Sequence, residues 1–264
     1  MSAAVTSAAP ATGGDLKRAT AAEWVRTRTT RTWWGLLLTT VGMAAIQTLG
    51  ATATVGKPDG LDANTPEGLH QALSSGFFAA LFAAVLGALL VSTEFRHRTA
   101  GDSIVLVRNR ETWLLAKVLV ASVLGLLYTV VGQLTVLAVG VPVLQSKGID
   151  HIDLWHGEVF STIWGTFLLG PFAAAFGVGV GALVRNQVAS VVGLVLYTVL
   201  LEGALVQFVP SVGQYLPGGA IAAIAGDPTV EHLSMPWGFP LYAAWAVLVL
   251  LAGAKRLAAQ DING

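Results

Sequence analysis

Residues 93–117 read TEFRHRTAGDSIVLVRNRETWLLAK and separate two long apolar runs of the chain. No other segment is so dense in charged side chains. A short apolar core, IVLV at 104–107, lies between Arg98 and Arg108. A segment of this kind between two apolar runs predicts a short helix in the membrane interface, with an apolar stripe available to a soluble partner.

The composition is that of a membrane protein. Hydrophobic residues make up 54% of the chain and charged residues only 11%, whereas a soluble domain carries roughly 25% charged residues. The formal net charge is zero, which gives nucleic-acid binding no electrostatic support. The chain has no cysteine, which excludes disulfide bonds and thiolate chemistry.

Six apolar runs are long enough to cross a bilayer, because a spanning helix needs ~20 mostly apolar residues. None alternates with a period of two, so the predicted fold class is an all-α membrane protein with six transmembrane helices. Between the last two runs, the segment 210–236 is apolar but broken by proline and glycine, which indicates re-entrant or outer helices. The predicted spans, numbered 1 to 6, cover residues 34–53, 73–92, 114–141, 160–184, 188–209 and 238–254.

The basic residues decide the orientation of these spans. Both termini and the loops after spans 2 and 4 share one side, and every lysine and arginine except Lys57 and Lys147 falls there. By the positive-inside rule this side is the cytoplasm. Both termini are thus predicted to be cytoplasmic, in a single transmembrane domain 17–264 that follows a disordered tail at 1–16.

The segment 17–33 precedes span 1 and combines Trp24 with Glu23, Arg28 and Arg31. We predict an elbow helix that lies in the membrane interface, with its tryptophans at the level of the lipid headgroups. An ordinary basic flank with an aromatic belt is the plainer alternative.

Three polar side chains are predicted inside the spans. Glu202 matters most, since a carboxylate in the bilayer is costly and normally faces a cavity or a partner group. It belongs either to a substrate or proton path or to a structural hydrogen bond with a neighbouring helix. Gln207 and Gln133 are candidates for the same polar path.

Small residues recur at four-residue spacing in two of the spans, and this spacing lets helices approach closely. The two stripes serve either packing within the chain or a dimer seam, and we favour packing within the chain. Their members are Ala80, Ala84 and Ala88 in span 2 and Gly177 and Gly181 in span 4.

The chain lacks the motifs of known catalytic sites. It has no P-loop and no G-x-S-x-G, H-E-x-x-H or C-x-x-C pattern. We therefore expect no catalytic residue in this chain. The loop before span 4 is rich in histidines and acids, but their spacing matches no familiar metal site, so we expect no metal either. These loop residues are Asp150, His151, Asp153, His156 and Glu158.

Three features together resemble the permease subunits of type-2 ABC exporters, especially the short actinobacterial ones. The first is EWVRTRTTRTWW at 23–34, which is similar to the elbow segment of that family. The second is EFRHRT at 94–99, followed by RNR at 108–110 and by Lys117. The third is the order of six spans with a broken outer segment between spans 5 and 6. One departure is Val107, which stands where family members often have a proline.

The resemblance implies a complex of two permease copies, or of one copy and a paralogue, with two separate ATP-binding subunits in a bacterial cytoplasmic membrane. Those subunits would bind ATP and Mg²⁺, and this chain would bind no cofactor of its own. The loop 93–113 would hold a coupling helix that docks into them. Its site residues would be Glu94, Arg96, Arg98, Thr99, Asp102, Ile104, Val105, Leu106, Val107, Arg108 and Arg110, while Glu23, Trp24, Arg28 and Arg31 would belong to the elbow.

Physical chemistry agrees with a docking role for this loop. The apolar residues 104–107 suit a groove, and the flanking arginines suit acidic rims. Thr99 is a candidate N-cap of the helix and Asp102 its third residue. Glu94 is expected to pair with Arg98 or with an arginine of the elbow. The positive-inside bias alone would explain the basic residues of the loop, but not the apolar residues among them.

The leading functional prediction is thus an exporter permease for a small amphipathic molecule such as a drug, an antibiotic or a lipid. The alternative is an ion- or proton-coupled secondary transporter that works alone through Glu202. A third possibility is a membrane anchor or sensor. Secondary transporters often show two similar halves, and the chain has no clear internal repeat.

Overall fold

The regular structure is helical throughout the part of the chain that the computed structural model describes, which is residues 13–57, 60–107, 109–150, 152, 154–155, 157–225 and 233–259. The helices are α1 (Gly13–Thr29), α2 (Thr32–Thr54), α3 (Pro66–Leu73), α4 (Phe78–Arg96), α5 (Ala100–Val107), α6 (Arg110–Ser146), α7 (Gly157–Val184), α8 (Gln187–Leu196), α9 (Gly203–Phe208), α10 (Pro210–Gly213), α11 (Pro217–Ala225) and α12 (Met235–Ala259).

Six helical segments in the described residues are long and apolar enough to cross a membrane, so the chain is a multi-pass membrane protein. The prediction of an all-α membrane protein with six such helices is confirmed. The segments are Thr32–Thr54, Pro66–Arg96, Arg110–Ser146, Thr162–Val184, Gln187–Leu205 and Pro236–Ala259.

Span 2 is longer than the sequence predicted. It begins at Pro66 instead of residue 73, and it runs through α3 and a short 3₁₀ turn into α4. The start is set by Thr65, whose side chain accepts a hydrogen bond from the Gly68 N–H at 3.1 Å, and by proline at the first helical position. Hydropathy alone did not predict α3 as part of span 2, because Glu67 and His70 interrupt the apolar run.

Helix α1 also starts earlier than expected. It begins at Gly13 and so includes residues 13–16, which the sequence assigned to the tail. Residues 1–12 lie outside the described part of the chain. The helix ends at Thr29, and a bend at residues 30–31 leads into α2. The segment 17–33 is therefore mostly helical.

The centre of the fold is a close contact between α4 and α7. A Cβ atom at Gly177 would lie 1.8 Å from the Ala84 carbonyl oxygen, and one at Gly181 would lie 2.6 Å from that of Ala88. The two stripes of small residues thus face each other within one chain, as favoured from the sequence. Because neither glycine has a Cβ atom, the two backbones can touch.

The outer spans cover this centre only partly. The buried share of the apolar stretch is 22% in span 1, 17% in span 5 and 22% in span 6. In spans 2, 3 and 4 it is 50% or more. Helices α4, α6 and α7 therefore form the core of the bundle, and the other three spans present most of their apolar surface outward.

One end of the bundle is rich in arginine, and we call it the basic end. Here Arg110 donates hydrogen bonds to the carbonyl groups of Leu257 and Ala258, and Arg185 donates to that of Arg256 at 2.6 Å. Burial, together with nearby Arg256 and Arg110, lowers the pKa of Arg185. The arginines thus bond to the last carbonyl groups of α12, where the helix dipole is negative.

The opposite end holds α3, α11 and the last turn of α6. Lys147 donates a hydrogen bond to the Val55 carbonyl oxygen at 2.8 Å, and Thr162 and His70 share a hydrogen bond of 2.6 Å. Helix α11 is largely buried against α7 and α12. The segment predicted to be broken therefore packs against protein, although residues 226–232 lie outside the described part.

Candidate functional site

Helix α5 sits at the basic end, between α4 and α6. The chain turns out of α4 through Arg98, whose φ of 58° lies in the left-handed region. Ala100 and Ile104 are buried against the bundle, whereas Val105 is 75% exposed and Leu106 84% exposed. The sequence treated 104–107 as one exposed stripe. That prediction is wrong for Ile104, because a helix turns these neighbours to different faces.

Helix α5 is fastened to both of the spans that flank it. Ser103 donates a hydrogen bond to the Glu94 carboxylate at 2.5 Å, and the Trp113 indole donates to the Ser103 hydroxyl at 3.0 Å. The rings of Phe95 and Trp113 meet edge to face with centroids 6.4 Å apart. Helix α5 is therefore joined by side-chain contacts to span 2 and span 3.

Below α5 lies a group of four charged side chains, which we call the ion cluster. Glu23, Glu94 and Lys117 are buried, and Arg26 is partly exposed. The Lys117 ammonium donates hydrogen bonds to Glu23 at 3.0 Å, to Glu94 and to the Leu90 carbonyl oxygen at 2.9 Å. Arg26 pairs with both acids. The cluster thus connects α1, α4 and α6.

The ion cluster is electrically neutral, with two acids and two bases. Lys117 is fully buried and also stands 4.7 Å from the centre of the Trp113 ring. Burial alone would lower the pKa of Arg26, but the attraction of Glu23 and Glu94 outweighs it, so the pKa of Arg26 is raised. Removing one member would leave an unbalanced buried charge, which is strongly destabilising.

The predicted site residues of α5 and its flanks differ in their burial and in their contacts. Glu94 pairs with Arg26 of the elbow, the second of the two options that the sequence allowed. Thr99 directly precedes α5, and exposed Asp102 is its third residue. Val107 is half-buried and packs against the core.

Two of the predicted arginines form hydrogen bonds that join helices. Arg96 donates a hydrogen bond to the Gln187 side chain at 2.9 Å and so ties α4 to α8, while Arg110 bonds to α12. Arg98 is exposed at the turn. Arg108 lies outside the described residues. Of the four predicted elbow residues, Trp24, Arg28 and Arg31 are exposed, and Glu23 joins the ion cluster.

The sequence missed the partners that complete this site. Lys117 was counted among the basic residues of the loop, and Arg26, Ser103 and Trp113 were not singled out. One signal was available, because Lys117 follows an apolar stretch, LLA at 114–116, in a predicted span. A charged residue in such a position normally has a partner inside the protein.

A second candidate site is a cavity of about 280 Å³ between span 2 and span 5, open at one side. Glu202 lines it at the end of a π-helical segment, Tyr197–Glu202. Its carboxylate accepts a hydrogen bond from the Gly218 N–H at 2.9 Å, and Tyr197 lines the cavity beside it. The other lining residues are Phe77, Phe78, Ala80, Leu81, Ala84, Phe176, Leu194, Thr198, Val199, Pro217, Ile221 and Tyr242.

The two glutamines do not join Glu202 in this cavity. Gln133 is fully buried and donates a hydrogen bond to the Leu73 carbonyl oxygen at 3.2 Å, so it ties α6 to α3. Gln207 is exposed. Only Glu202, of the three predicted polar residues, therefore faces a space that could hold a small molecule.

The described residues contain no group of three or more metal-ligating side chains. His151, Asp153 and His156 lie outside that part of the chain, as does the Glu158 side chain. No family model and no curated protein matches this chain. A function is therefore argued from the geometry of α5, the ion cluster and the cavity.

Proposed function

We propose that the chain is the membrane-spanning permease subunit of an ATP-binding-cassette exporter in a bacterial cytoplasmic membrane. It moves a small amphipathic molecule with energy from ATP, which separate nucleotide-binding subunits bind with Mg²⁺ and hydrolyse. The observation that carries this proposal is the short helix α5, which presents Val105 and Leu106 outward while its other face is fastened to the bundle.

The exposed pair on α5 favours a protein partner. By the positive-inside rule, the basic end faces the cytoplasm, so both termini lie there. Val105 and Leu106 would then be exposed to water, and burying such a side chain contributes about 1.5–3 kcal/mol. Exposed arginines beside α5, Arg96 and Arg98, offer charge complementarity to an acidic rim.

The contacts that hold α5 would let it pass a movement of the nucleotide-binding subunits on to the membrane helices. When two nucleotide-binding subunits close on ATP, a helix seated in their groove is displaced with them. The hydrogen bond from Ser103 to Glu94 passes this displacement to the ion cluster, which holds α1, α4 and α6 together. Three elements then move as one unit, which would open the path across the membrane.

A second copy of the chain, or a paralogue, would complete the complex. Span 5 is the least buried of the six, and its outward residues are apolar. An apolar surface of this kind faces either lipid or another membrane helix. The two-copy arrangement brings two α5 helices to the same side, one for each nucleotide-binding subunit.

Co-purification from native membranes tests the proposal. We expect the tagged chain, extracted in mild detergent, to bring down a stoichiometric P-loop ATPase, and the double variant Val105→Ser/Leu106→Ser to lose it. Val188→Ser is the matched control, since Val188 is 68% exposed at the same end but lies outside α5. A wild-type chain that purifies alone and without ATPase activity would refute the exporter.

The cavity around Glu202 supports a second candidate, an ion- or proton-coupled transporter that works without an ATPase. Such a protein needs an ionisable group within a spanning segment, and Glu202 lies in span 5, Gln187–Leu205. Transport by the pure chain in liposomes that contain no ATP, abolished by Glu202→Gln, would establish this candidate. ATP-dependent transport that survives Glu202→Gln would exclude it.

A further inference from the structure

The cavity between spans 2 and 5 combines one acid with several aromatic rings. Among the described residues that line it, Glu202 is the only charged one, and none is a lysine, arginine or histidine. The rings of Phe77, Phe78 and Tyr197 border the space, and Phe176 and Tyr242 pack together with centroids 6.1 Å apart. Such a lining is attractive to positive charge, because aromatic faces and a carboxylate both favour cations.

Glu202 has no cationic partner in the described part of the chain. Every salt bridge found there belongs to the ion cluster at the basic end. Yet Glu202 is 2% exposed, and its carboxylate accepts a hydrogen bond from the Gly218 N–H at 2.9 Å. Burial disfavours the charged form of a carboxyl group, and this donor together with a bound cation would offset that cost.

The backbone around Glu202 is built to hold this carboxylate in place. The π-helical turn sets Tyr197 and Glu202 five residues apart on one face, and π-helical segments are frequent at functional sites. Gly218 lies in the first turn of α11, where the helix dipole favours a negative charge. A Cβ atom at Gly218 would stand 2.8 Å from a Glu202 carboxylate oxygen, so only glycine lets the two groups approach as they do.

We infer that this cavity binds a small organic cation with an apolar body, and that Glu202 supplies the opposite charge. The aromatic and aliphatic walls take the apolar body of the ligand. The inference names the substrate class of the proposed exporter and rests on that proposed function for its role in transport. The binding step itself needs only this chain.

Direct binding to the full-length chain in nanodiscs of zwitterionic lipid tests the inference. The probes are phenyltrimethylammonium, its neutral isostere tert-butylbenzene and the anion benzenesulfonate, with partition into empty nanodiscs subtracted. We expect saturable binding of the cation to the wild-type chain, and binding of the anion that is at least about tenfold weaker. Glu202→Gln should weaken cation binding by about tenfold or more and leave the neutral isostere unaffected.

Three further variants separate charge from shape. Thr39→Val makes the matched change on an exposed face of α2, outside the cavity, and should leave cation affinity unchanged. Gly218→Ala should weaken it, because the new methyl group displaces the carboxylate. If Glu202→Gln does not fold, Glu202→Asp replaces it, and we expect weaker cation binding with the neutral isostere still bound.

Several results would overturn the inference. Equal affinity of the wild type and Glu202→Gln for the cation would remove Glu202 from the site. No saturable cation binding, with proton uptake that depends on Glu202, would support the proton-coupled candidate instead. The ATPase test is independent of these results: cation binding without an ATPase partner would refute the exporter alone, and an ATPase partner without cation binding would refute only the substrate class.

Discussion

Lys117 links the two acids of the ion cluster. It contacts both acids of the cluster and a backbone carbonyl group, and no part of its side chain reaches solvent. A buried group of this kind contributes less to stability than its contacts suggest, because each charge loses its hydration. The ion cluster instead fixes α1, α4 and α6 at set distances from one another.

Replacing Lys117 tests this balance. We expect Lys117→Met to lower the stability of the chain by roughly 3–5 kcal/mol, since two carboxylates would then face Arg26 alone. The double variant Lys117→Met/Glu23→Gln restores neutrality and should recover part of the loss. Thermal unfolding of both variants in one detergent gives the comparison. A double variant less stable than the single one would contradict the charge argument.

At the scale of helices, the contact between α4 and α7 sets the shape of the core. It depends on glycine at points where a methyl group would overlap a backbone oxygen. The same residue type has no such role at Gly193 in α8, where a Cβ atom would meet nothing within 4 Å. Gly177 and Gly193 are therefore a matched pair for testing the effect of an added methyl group.

We expect Gly177→Ala to destabilise the chain by about 1–3 kcal/mol, because α4 and α7 must separate to accept the methyl group. Gly193→Ala should be neutral or slightly stabilising, since alanine favours a helix and the space is open. Melting temperatures of the two purified variants measure the difference. Equal melting temperatures would mean that α7 can shift without cost.

The sequence predicted elements better than it predicted contacts. Six spans follow from hydropathy, because each needs a long apolar run, and the short helix α5 was expected between two of them. The burial of Ile104 and the choice of Arg26 as the partner of Glu94 were not predictable. Both depend on how α1 and α5 lie against α6, which is a tertiary arrangement with no local signal.

For the whole molecule, the sorting of basic residues to one end predicts the orientation in the membrane. The chain contains no cysteine, so a single introduced cysteine can report the side on which a residue lies. We expect Lys57→Cys to react with a membrane-impermeant maleimide in intact cells, and Arg28→Cys to react only after the membrane is opened. Both native residues are exposed. The reverse pattern would invert the topology.

The ion cluster also has a consequence for synthesis of the chain. Glu23, Arg26 and Glu94 are made before Lys117, so the cluster carries one surplus negative charge until the ribosome has passed residue 117. Span 2 then enters the bilayer while Glu94 has Arg26 but not Lys117 as a partner. Lys117 arrives with span 3. A nascent chain that stalls between these points would display an uncompensated carboxylate at the edge of the lipid, which is costly until Lys117 arrives.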